Sequence, residues 1–121
     1  MITFYVNKNN IFLNGFSGKN YGLITFISKD KKNDKGLYEH EKVHYKQWKK
    51  SPILMPLLYK FSKKHRYKYE FEAYLKQMKF TYNPDLFAKF ICNNYNIDKE
   101  EKYVKESLIC SYKIKVGIYG N

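Results

Sequence analysis

Residues 38–48 read YEHEKVHYKQW and hold two of the chain's three histidines, four residues apart, with a glutamate directly after the first. From Leu37 the pattern turns helical and runs to about Lys50, where Ser51-Pro52 stops it. Residues four apart in a helix stack on one face about 6 Å apart, so His40 and His44 can aim ring nitrogens at one ion. Two imidazoles suit Zn²⁺, which accepts nitrogen and oxygen ligands tetrahedrally. Glu41 lies about 100° round the helix from His40, off the ion but within reach of a water bound there. Zinc lowers the pKa of such a water, and Glu41 is placed to take its proton as general base.

This helix divides the chain. Before it, residues 2–6 (ITFYV), 11–13 (IFL) and 21–28 (YGLITFIS) are β-branched and aromatic, separated by Asn/Gly-rich turns, and read as short strands. The polar loop SKDKKNDKG follows, with Asp34 as the candidate cap of the histidine helix. After it, ILMPLLYKFSKK reads as a short buried helix or turn, bent or started by Pro56. The spacing predicts helices over 65–80, from Pro84, and from an Asp98 cap, and the alternating tail YKIKVGIYGN suggests a further strand. Together these elements predict one α+β domain over residues 1–121: a small N-terminal sheet, the HExxH helix, a second helix and C-terminal helices.

A chain of 121 residues with 44% apolar and 19% aromatic content can bury a single core. No run reaches the roughly 18–20 apolar residues of a membrane span, and MITFYVNKNN lacks the pattern of a signal peptide. The expectation is a soluble protein, cytoplasmic in a bacterial or phage-infected cell. The net charge of +12 points towards anionic partners, yet Arg66 is the sole arginine among 23 basic residues. Bidentate phosphate recognition favours arginine, so codon bias and solubility account for much of the lysine excess. Cys92 and Cys110 have no metal-knuckle spacing and read as buried reduced thiols.

A catalytic zinc normally has three protein ligands, and no histidine follows His44 closely. His65, Glu70 and Glu72 are the candidates for the third. HExxH on one helix, followed by Glu70-Phe71-Glu72-Ala73-Tyr74 on a second, resembles the gluzincin metallopeptidases. The short HExxH metallopeptidases of bacteria and their phages are the nearest likeness, over roughly residues 21–80. The resemblance implies a zincin-like fold and zinc-dependent peptide hydrolysis. It also implies Glu70 as third ligand, and Ala73 as the small residue that lets the helices approach. Where larger gluzincins carry an aspartate that orients a zinc-bound histidine, this chain has Tyr74. Tyr74, His65 and Tyr69 are the substitutes for the family's oxyanion donor, and Gln47 stands one turn beyond His44 to hydrogen-bond a ligand or a substrate. A strand from 21–28 is expected beside the cleft to hold an extended peptide. Trp48 and the aromatics of the second helix read as core, and His65 as exposed. The alternative function is a weakly active or inactive zincin-fold binding module, virion-associated, with a basic surface for nucleic acid or another anionic partner.

Overall fold

Asp34 starts the helix that organises the molecule. Its carboxylate accepts the Leu37 N–H at 2.9 Å, and α1 runs from Lys35 to Lys50. The computed structural model describes residues 1–117. Ahead of α1 lie three strands, β1 (Ile2–Val6), β2 (Gly18–Tyr21) and β3 (Ile24–Ser28), in the order β1-β3-β2. β1 runs parallel to β3, with Ile2 opposite Ile24, and β2 runs antiparallel to it, with Gly18 opposite Ile27. Thr25 and Ile27 are buried on one face, while Phe26 stacks with Phe4 and Phe12 on the other.

Two of the expected strands differ. Residues Ile11–Leu13 form a 3-10 turn, because the Asn10 side chain accepts the Phe12 N–H and Asn14 takes a left-handed conformation. The stretch 21–28 is broken at Gly22, whose φ of +74° reverses the chain against the Trp48 ring. A Cβ at Gly22 would stand 2.8 Å from that ring, so only glycine fits both the turn and the contact.

After α1 come α2 (Leu54–Phe61), α3 (Lys63–Gln77), α4 (Pro84–Asn94) and α5 (Glu101–Tyr112). Ser62 ends α2 and caps α3, and Asn83 caps α4 with Pro84 in its first turn. Asp98 caps nothing: α5 begins at Glu101, and Asp98 pairs with Lys63 at 3.0 Å. The expected tail strand is likewise replaced, since α5 continues to Tyr112 and passes into a π turn over Lys113–Gly117; residues 118–121 lie outside the described ones. The main core joins Leu75 and Met78 to Phe87, Ala88 and Ile91 of α4, and Val104 and Leu108 of α5. Among the described residues the architecture is therefore α+β, a three-stranded sheet followed by five α-helices.

Burial departs from expectation at several side chains. Cys92 is half-buried and Cys110 exposed, both as free thiols. Trp48 is half-buried, as are Tyr67, Tyr69 and Phe71, and Phe80 is exposed. His65 is half-buried, held by Ser62 at 2.8 Å. Helix α2 buries only Met55 and leaves Ile53, Leu54, Leu57 and Phe61 in solvent. Among the described residues no helix is long and apolar enough to cross a membrane.

Candidate metal centre

The buried face of α1 is polar, built from His40, Glu41, His44 and Gln47, and Glu70 of α3 is buried opposite it. Leaving one such group unpaired costs about 1–3 kcal/mol, so the arrangement must satisfy itself or bind something. It does both. One ligand atom from each of His40, His44 and Glu70 lies within 4.8 Å of the others, a group that could hold a metal ion. Glu70 Oε1 stands 3.4 Å from His40 Nε2 and 3.2 Å from His44 Nε2. A small tetrahedral ion with bonds of about 2.0–2.1 Å sets neighbouring ligand atoms about 3.3–3.4 Å apart, so these two spacings are compatible with such an ion.

The hydrogen bonds around Gln47 assign the His44 tautomer. Gln47 Nε2 donates to the Tyr69 carbonyl at 3.0 Å and to Glu72 at 2.9 Å, which turns its Oε1 to His44 Nδ1 at 2.8 Å. That oxygen can only accept, so Nδ1 carries the proton and the neutral ring points the Nε2 lone pair at the Glu70 carboxylate. Two electron-rich atoms then face each other, and a cation or a proton must lie between them. Without metal it is a proton. Burial alone would push the His44 pKa down, but Glu70 reverses this and raises it to about 9. Burial likewise pushes Glu70 up, and the two histidines outweigh it, holding the carboxyl well below the usual range. Glu72, committed to Gln47 and exposed, is not brought to the histidines.

Glu41 stands beside the group, its Oε2 3.9 Å from His40 Nε2, and burial raises its pKa above the ordinary carboxylate value. Gly18 of β2 allows this closeness: a Cβ there would lie 3.1 Å from Glu41 Oε2. The Tyr59 hydroxyl, from α2, donates to Glu70 Oε2 and leaves Oε1 for the histidines. Burial and the Glu70 charge raise the Tyr59 pKa, so it stays a donor. Sequence reasoning missed Tyr59; the available signal was a single hydroxyl in the apolar stretch ILMPLLYKF, which needs a partner once buried.

Tyr74 and His65 do not take the places expected of them. The Tyr74 ring packs edge-on against His40 at 4.4 Å, but its hydroxyl is paired with Tyr95 at 2.8 Å and His40 Nδ1 is left without a partner. The contact of Tyr74 with His40 is ring packing, without a hydrogen bond. His65 sits at the start of α3 with Ser62 and Tyr69, away from the histidine pair.

In front of the group opens a cleft of about 410 Å³ whose walls include Phe16, Trp48, Pro56, Tyr59 and the strand β2. The cleft strand is thus Gly18–Tyr21, earlier in the chain than expected, and among the described residues no strand pairs with its outer edge. Gln47→Leu tests the support of the centre. Removing the acceptor of the His44 Nδ1 proton should weaken zinc binding about 10–100-fold, measured by competition with a chromophoric chelator, with the circular dichroism spectrum unchanged.

No family model matches the chain, and no curated protein or solved structure matches it significantly. The reading of the site therefore stands on its own residues.

Proposed function

We propose that the protein is a zinc-dependent metallopeptidase of gluzincin type. The observation that carries this reading is the meeting of His40, His44 and Glu70, with ligand atoms within 4.8 Å of one another, beside a buried carboxylate and against a cleft. Two nitrogens and one oxygen fit zinc with a position left for solvent or substrate. Zinc held there supplies a Lewis acid and water of lowered pKa.

The chain's own groups do the rest. Glu41 accepts a proton from the attacking water and returns it to the leaving amine, a role suited to a carboxylate whose pKa burial has raised. Gln47 holds His44 in the coordinating tautomer, and Tyr59 keeps Glu70 turned towards the histidines. The free edge of β2 pairs with an extended peptide through main-chain hydrogen bonds. The direct test is incubation with a mixture of unstructured peptides. Cleavage should occur, stop with a chelator and return with zinc; a zinc-loaded chain that cleaves none of them contradicts the proposal.

A further inference from the structure

Helix α2 has two apolar sides, and one of them faces water. At about 100° per residue, Ile53, Leu54, Leu57 and Phe61 fall within one arc of about 100°, while Met55 and Tyr59 face inward on the opposite side. Ile53 is 81% exposed and Phe61 74%. Scattered exposed apolar residues are ordinary, but four large ones on one short helix form a continuous patch.

The segment that carries this patch holds charge of one sign, though Asp98 of another segment pairs with its Lys63. Between Glu41 and Glu70 the chain carries eight lysines and one arginine and no acidic residue. Lys49 and Lys50 stand just before the helix, and Lys60 and Lys64 at its end, all exposed. Lys63 is engaged with Asp98. Arg66 is not free to grip a phosphate: its guanidinium donates to the carbonyls of Tyr59, Lys60 and Tyr95, closing the end of α2.

We propose that this face of α2 is a docking site for an anionic lipid surface. The helix would lie flat, with Ile53, Leu54, Leu57 and Phe61 in the acyl boundary and the flanking lysines among the headgroups. A nucleic acid would use the lysines but leave the apolar arc in water, and it favours arginine forks that this chain lacks. A protein interface is depleted in lysine and centred on a pocket, whereas this patch is the convex side of a helix ringed by lysines. Lysines at a bilayer boundary can lay their stems along apolar surface and keep their charges in the headgroup layer. Met55, Pro56 and Tyr59 of the same helix line the cleft, so docking would bring the cleft mouth to the lipid surface. This inference is independent of the peptidase reading.

Co-sedimentation with vesicles tests it. The whole chain should bind vesicles of phosphatidylcholine with phosphatidylglycerol at least tenfold more tightly than vesicles of phosphatidylcholine alone. Ile53→Asp with Phe61→Asp should lower that binding at least tenfold; both sites are exposed, and an unchanged circular dichroism spectrum and Tm would show that the fold holds. Lys60→Gln with Lys64→Gln should weaken it too, and added salt should do the same. A wild type that ignores anionic vesicles overturns the proposal, and its retention by a short DNA duplex would then give the lysines to nucleic acid. An aspartate variant that binds vesicles as the wild type does overturns it as well.

Discussion

Glu41→Gln should lower peptide hydrolysis about 10³-fold while zinc stays bound at one ion per chain. Positioned proton transfer contributes about 10²–10⁴-fold to catalysis, and the amide cannot take the proton from water. The ligand set is untouched, because Glu41 lies beside His40, His44 and Glu70 and is not one of them. The fold should also survive. Glu41 is buried and its charge is already disfavoured there, so a neutral group of the same shape removes a desolvation cost. The loss should appear in kcat, since the step removed belongs to the transition state. Assays of wild type and variant on one cleaved peptide, with zinc measured in both, check this. Retained activity with Gln at 41 would reject the proposed mechanism.

Removing the metal should destabilise the chain by a comparably clear margin. An ion present at about 1,000 times its dissociation constant stabilises the folded state by about 4 kcal/mol, and in a domain of this size that corresponds to a Tm change on the order of 10–20 °C. The pH dependence of this gap follows from His44 and Glu70. In the metal-free chain the folded His44 pKa of about 9 lies above its ordinary value of 6.5. The protonated pair therefore contributes fully below about pH 6.5, and its contribution is lost as pH rises towards 9. Glu70 runs the other way: its depressed pKa contributes above the ordinary value of 4.5 and is lost in strong acid. The metal-free chain should thus be most stable between about pH 4.5 and 6.5. Zinc competes with the His44 proton, so its affinity should climb with pH and the Tm gap should widen from pH 6.5 to 9. Melting curves with and without chelator at pH 6, 7.5 and 9 measure this. A gap that is absent, or that narrows with rising pH, would contradict the centre's proposed chemistry.

The parts of this structure legible in the sequence were those set by local rules. Asp34 before a helical period, Ser51-Pro52 after it and Pro84 are short-range signals, and α1 and α4 begin as they indicate. The His40–His44 pair followed from helical geometry, whereas Glu70 was separated from Glu72 and His65 only by the resemblance to the gluzincins. What escaped depends on long-range contacts. Gly22 breaks a β-branched run because Trp48 packs against it, and Ile11–Leu13 turns because Asn10 and Asn14 bracket it. Tyr59 meets Glu70 only once α2 folds over α3, and the Tyr74 hydroxyl finds Tyr95 from beyond α4. The exposure of α2 was hidden for a related reason: an apolar stretch reports hydrophobicity, and only tertiary packing shows which of its sides faces water.

The central claim is that two imidazoles from α1 and a carboxylate from α3 converge on one divalent cation. Elemental analysis of the purified chain, loaded with zinc and desalted, measures it most directly, with His44→Ala carried through in parallel. The account predicts one zinc per wild-type chain and little or none in the variant. A wild type that retains no zinc, or a variant that retains as much, would contradict it.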